Sequence, residues 1–186
     1  MRTSLPLTVL LLLAVTWVEA TPRHVYLTWQ GDPTASVTVN LHTIVAGASP
    51  PAATVHYDTL SHGGRWQDYA WQATGTSVRL VDVPHRTLHR VRLTDLLPGR
   101  VYWFVAGDTV GGFTAERAFR TIPDGDGALR FVAAGDMGVA EKSRRLQAVA
   151  AAQEPSFVLL GGDLAYANGD WNLAPIWDTW LDNWQE

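Results

Sequence analysis

The chain has 186 residues, enough for one or two domains, with no cysteine, nine tryptophans and a net charge of −4. Lack of cysteine excludes disulfide scaffolds and thiolate metal sites, so any bound metal must be held by oxygen and nitrogen donors. The aromatic content excludes a disordered chain. The charge excludes a basic nucleic-acid surface, because residues 129–186 hold four basic and eight acidic side chains and residues 1–128 balance to zero.

At the N-terminus, Arg2 is followed by an apolar run at 5–15, and Val18-Glu19-Ala20 ends in a small residue suited to cleavage. This pattern predicts a secretory signal peptide over residues 1–20, too short to span a bilayer. The mature chain is then periplasmic or extracellular and keeps no membrane association.

From 24 to 121 the sequence is a series of short alternating runs separated by turn residues. "HVYLTWQ" meets the turn Gly31-Asp32-Pro33; "SVTVNLHT", a Gly/Ala/Ser/Pro loop and "ATVHYDT" follow, and then "LHRVRLTDL", "RVYWFVAG" and "AERAFRT". Period-two runs of this length predict an all-β sandwich of roughly a hundred residues. In "LTDLLPGRVYWFVAG", Pro98-Gly99 make a turn and Tyr102 opens the next strand, the pattern of a tyrosine corner. His85 and His89 have a spacing seen in metal sites, but on a strand they read as structural. Arg86, Arg90 and Arg92 read as one solvated strand face.

"PDGDG" at 123–127 is a turn-rich linker, placed at 123–128, and the composition changes after it. Residues 129–134 read as a strand buried on both faces. Residues 140–153 read as a helix with Leu146, Val149 and Ala150 on its apolar face, Glu141 in its first turn and Pro155 ending it. Residues 156–161 read as a second buried strand, so the segment predicts a parallel βαβ unit. In "LAPIWDTWLDNWQE" a further helix carries Leu173, Ile176, Trp177, Trp180, Leu181 and Trp184 on a large apolar face. Two strands and two helices cannot bury a doubly wound sheet, so the domain is expected to continue past residue 186.

Both predicted parallel strands end in Gly-Asp. "RFVAAGDMG" places Asp136 at the end of the first; "FVLLGGDLAYANGD" places Asp163 at the end of the second, with Tyr166 three residues later. Ligands of open parallel sheets bind outside the carboxyl ends of the strands. Neighbouring strands lie ~4.8 Å apart, so the two carboxylates can converge. Converging carboxylates repel, and a di- or trivalent cation removes that cost. A phenol such as that of Tyr166, with an ordinary pKa near ~10, becomes a ligand only to a strong Lewis acid such as Fe(III).

Gly135-Asp136-Met137-Gly138 and "GDLAY" at 162–166 resemble the first two metal-binding blocks of the calcineurin-like metallophosphoesterases. Residues 21–122 resemble a fibronectin type III domain. The tyrosine variant behind such a domain, in an exported chain, resembles the purple acid phosphatases. The resemblance implies an all-β fibronectin III-like sandwich followed by an incomplete α/β (βαβ) metallophosphoesterase segment at 129–186. It implies that Asp136 binds a ferric ion, that Asp163 bridges to a second, divalent metal (Fe, Zn or Mn), and that Tyr166 ligates the ferric ion and gives a charge-transfer colour. The implied substrate is a phosphate monoester. In the implied two-metal hydrolysis the cations clamp the phosphate oxygens, water attacks in line and the leaving alkoxide is protonated.

The family's remaining donors, an Asn-His pair, an isolated His and a His-x-His, have no counterpart here. All six histidines (24, 42, 56, 62, 85 and 89) lie in the β domain, and Asn168 sits in the turn sequence "ANGD". With three ligands of seven and no catalytic residue beyond them, the chain is expected to be inactive alone. The alternative is a non-catalytic extracellular binding module carrying a vestigial phosphatase segment.

Overall fold

The structure is a computed structural model that describes residues 22–44, 51–80, 83 and 85–185. The signal peptide read at 1–20 and most of the Gly/Ala/Ser/Pro loop after residue 44 lie outside the described residues.

Among the described residues, nine strands form the first half, arranged as two antiparallel sheets. The first sheet has the order β1 (Arg23–Thr28), β2 (Val37–Ile44), β6 (Arg86–Leu93), β5 (Thr76–Arg79). The second runs β4 (Trp71–Thr74), β3 (Thr54–Asp58), β7 (Val101–Asp108), β8 (Gly112–Phe113), with β9 (Arg117–Arg120) also paired to β7. Their facing sides enclose Val37, Val39, Leu41, Val55, Val91, Leu93 and Phe104. Period-two alternation puts those residues inward, and their burial drives the two sheets together.

The tyrosine corner is present. The Tyr102 hydroxyl accepts the Leu97 N–H at 2.9 Å, and Thr121 Oγ1 donates to the Leu97 carbonyl at 2.6 Å. The chain changes sheets between β4 and β5 at Gly75, where a Cβ would lie 2.0 Å from the Arg90 carbonyl oxygen. Only glycine fits that crossing.

The second half is a parallel pair, β10 (Phe131–Ala134) and β11 (Phe157–Leu160), joined by helix α1 (Glu141–Ala151). A 3₁₀ turn at Trp171–Leu173 leads into helix α2 (Ala174–Asp182). No helix among the described residues is long and apolar enough to cross a membrane.

Three expectations about burial are corrected. The paired strands are not buried on both faces: Phe131 is 51% exposed and Leu159 52%. Helix α1 turns Ser143 and Gln147 inward and leaves Leu146 67% exposed. Ser143 bonds the Met137 carbonyl in the loop leaving β10, while Gln147 faces the Asn183 carbonyl and Trp184 Nε1 just past α2. The third correction concerns the arginine row. Arg90 and Arg92 are exposed, but Arg86 is buried beneath α2 and ion-paired with Asp178. Helix α2 thereby seats on the outer face of the first sheet at its Arg86 end, while the outward residues Thr38 and Asn40 of β2 are buried against Gln30 and Thr28.

Candidate metal centre

The β10–β11 register pairs Ala134 with Leu160, so the two Gly-Asp corners leave the sheet side by side. They are then stitched together by successive backbone bonds. Gly161 N–H donates to the Ala134 carbonyl at 2.7 Å, Asp136 N–H to Gly162 at 3.2 Å, Met137 N–H to Asp163 at 3.0 Å and Gly138 N–H to Leu164 at 2.8 Å. Consecutive amides pointing the same way are not a strand pattern. They arise because the backbone enters the left-handed region repeatedly: Asp136 at φ 51°, Gly138 at 63°, Gly162 at 106°, Asp163 at 46° and Tyr166 at 57°. For the non-glycine residues each such conformation costs roughly 1–2 kcal/mol. Strain of this kind concentrates where a backbone must aim side chains for function.

The aim of those side chains is specific. The Tyr166 hydroxyl donates to Asp136 Oδ1 at 2.6 Å, with the ring lying over Gly138, whose added Cβ would meet Cδ2 at 3.6 Å. The hydrogen bond to Asp136 pushes the Tyr166 phenol up to about 12, helped by desolvation and by the charges of Asp136 and Asp163. Asp136 and Tyr166 are therefore in direct contact. Asp163 is near enough for its carboxylate to oppose ionisation of the phenol, and it is tied to the Asp136 loop through its carbonyl. All three side chains are exposed, as entry of an ion or substrate requires. Asn168, also left-handed at φ 51°, lies in the turn closed by Asp170 N–H on the Ala167 carbonyl at 2.9 Å.

Two carboxylates and a phenol are hard oxygen donors and suit a trivalent ion in type. Among the described residues no group of three or more His, Cys, Asp or Glu side chains is placed to hold a metal, so a full two-metal ligand set is not assembled there. The histidines sit elsewhere. His89 is enclosed in the sandwich, bonded to Thr43 and to Ser77 at 2.8 Å each, which agrees with its structural reading. His85 occupies a turn at φ 69°.

The family model of the purple acid phosphatase N-terminal domain matches residues 22–121, more than half of the chain. The chain belongs to that family. Its relationship is thus to phosphatases, and the matched span covers the nine-strand sandwich from β1 to β9. No curated protein sequence matches significantly. Among solved structures, that of PhoD is 17% identical with a TM-score of 0.45, over 73% of this chain and 27% of that one. The sensor domain of the anti-sigma factor RsgI4 of Pseudobacteroides cellulosolvens is 15% identical with a TM-score of 0.33, over 59% of this chain and 99% of that one. This chain therefore spans about a quarter of the length of PhoD.

Proposed function

We propose that this chain is the front part of an exported, metal-dependent phosphoric monoester hydrolase of the purple acid type. In this reading Asp136, Asp163 and Tyr166 hold one side of a centre of Fe(III) and a divalent Fe, Zn or Mn ion. The observation that carries it is the contact between Tyr166 and Asp136 at the mouth of a parallel strand pair, with Asp163 on the adjoining strand end. Membership of a phosphatase family supports the class of reaction.

The chain's own residues would do three things. Asp136 and Asp163 would supply negative charge where the strands end, and Tyr166 would give up its proton to bind as phenolate. The glycines at 135, 138, 161 and 162 leave the strand ends open to a phosphate group. When bound, the metal pair would supply Lewis-acid stabilisation of the charge on the transferring phosphoryl group. The remaining donors would come from outside these residues, together with the layers that cover Phe131, Leu159 and Leu146.

An aryl phosphate assay tests this. With iron and zinc or manganese added, the 186-residue chain should turn over no faster than its D163A variant. Read past codon 186, the native gene should encode Gly-Asn-His and His-x-His, and that longer product should show metal-dependent turnover abolished by D163A. Turnover by the short chain well above D163A contradicts the incomplete-site reading. A stop immediately after codon 186 removes the phosphatase reading and leaves an extracellular binding module.

A further inference from the structure

The outer face of the second sheet carries a pocket separate from the Gly-Asp corners. Val55 of β3 and Ala73 of β4 face the core, so alternation sends their neighbours His56 and Gln72, which are register partners, to the outside. Residues 59–70, between those strands, fold back over that face through a 3₁₀ turn at Trp66–Asp68. Two carboxylates fix this segment. Asp58 accepts from the Leu60 N–H at 3.2 Å and the Ala70 N–H at 3.1 Å, and meets His62 Nε2 at 3.0 Å. Glu116 accepts from the His62 N–H at 2.7 Å and from the Ser61 and Tyr69 hydroxyls at 2.5 Å each. Trp66 is thereby laid on Phe113 with ring centroids 5.2 Å apart. The His56 ring packs against both, 5.2 Å from Trp66 and 5.3 Å from Phe113.

Between the 3₁₀ turn and β4 lies a pocket of about 370 Å³, lined by His56, Trp66, Gln67, Tyr69, Trp71 and Gln72. Small-molecule sites of this size join aromatic walls to a few convergent polar groups. His56 is only 8% exposed, yet neither ring nitrogen has a hydrogen-bond partner among the described residues. Buried polar groups are nearly always paired, so the pocket is where His56 must find its partner. Burial lowers the pKa of this imidazole, and the neutral ring offers one donor and one acceptor. The exposed carboxamides of Gln67 and Gln72 likewise both donate and accept. Among the described residues no charged side chain lines the pocket. Asp58 and Glu116 are engaged by the segment above it, and Arg65 is paired with Asp68 at 2.6 Å.

That combination selects the ligand. An anion calls for donors, above all charged ones, and a metal ion or ammonium calls for acceptors or carboxylates. A hydroxyl group both donates and accepts, as the three polar side chains here do, and it carries no charge. An aromatic wall suits the flat C–H face of a saturated ring. We propose that this pocket binds a neutral sugar residue, its C–H face against Trp66 and its hydroxyls on His56, Gln67 and Gln72. Asp58 and Glu116 hold the Trp66 segment in place before the sugar arrives, so little ordering is left to oppose binding. The site belongs to the sandwich alone and does not depend on the metal centre.

Nuclear magnetic resonance titration of the full chain with glucose, mannose, maltose and cellobiose tests the assignment. The His56 ring and the Gln67 and Gln72 side-chain amides should shift saturably with at least one of these sugars, at a Kd on the order of 1 mM. Both glutamines are exposed, so Q67A/Q72A should keep the fold and bind that sugar at least about tenfold more weakly. No shift with any of the four at about 50 mM would leave a pocket that holds only water, and overturns the proposal. Equal affinity in Q67A/Q72A, or His56 resonances that stay still while a sugar binds, also overturns it. Inorganic phosphate and tetramethylammonium serve as charged probes. Saturable shifts at these residues with either of them, and with none of the sugars, would make this an ion site and overturn the proposal as well.

Discussion

The sandwich and the strand–helix–strand unit enclose their apolar residues to very different degrees. Val39, Leu41, Val55, Val91 and Leu93 are sealed between two sheets, whereas Phe131, Leu159 and Leu146 keep about half or more of their surface uncovered. The cause is layering. Two antiparallel sheets cover each other's apolar faces, but a parallel pair needs helices on both sides and here has incomplete cover. The comparison separates two tasks: the sandwich carries the packing energy, while the open strand ends carry the candidate chemistry.

The largest effects should fall in the sandwich. Phe104, enclosed at the centre of β7, should cost about 3–5 kcal/mol when changed to alanine, read from the urea midpoint. L146A, on the exposed face of α1, should shift stability by no more than about 0.5 kcal/mol. Equal losses would mean that α1 is covered in solution. Next comes the tyrosine corner: Y102F leaves the Leu97 N–H without its acceptor, for a loss of about 1–3 kcal/mol. The smallest effect on stability should come from the Gly-Asp corner. Y166F removes an exposed hydrogen bond and should leave the midpoint within about 0.5 kcal/mol of native.

The pH behaviour of Tyr166 sharpens the same contrast. Its phenol should ionise at about 12, followed by phenolate absorbance against Y166F. In D136N the neighbouring charge is gone and a neutral amide replaces the charged acceptor, so the titration should move down toward the ordinary value of 10.0. An unchanged titration would mean that the two side chains do not meet in solution.

Legibility followed the range of the interactions. The tyrosine corner was readable because Pro98-Gly99 and Tyr102 lie within one short stretch. The parallel pair was readable because an apolar run, a helix and a second apolar run follow one another without interruption. Strands β4 and β5 were not read from the sequence, since "WQAT" and "TSVR" are short, polar and poorly alternating. Their pairing depends on β3 and β6, formed from distant residues. Arg86 looked like its neighbours Arg90 and Arg92 because nothing local announces that Asp178, far along the chain, will cover it. The inward face of α1 was misjudged for a similar reason: hydrophobicity favoured Leu146 and Val149, but Ser143 and Gln147 are the residues turned inward. At the candidate site, Gly-Asp spacing marked Asp136, Asp163 and Tyr166. The left-handed backbone that stitches the two corners together could not be read from that spacing.

The central claim is that Asp136, Asp163 and Tyr166 form one cation site, and adding Fe(III) while recording visible absorption tests it most directly. The account predicts a tyrosinate-to-iron band in the native chain, lost in Y166F and strongly weakened in D136N and D163N. A band of equal strength in Y166F, or none in the native chain, would contradict it.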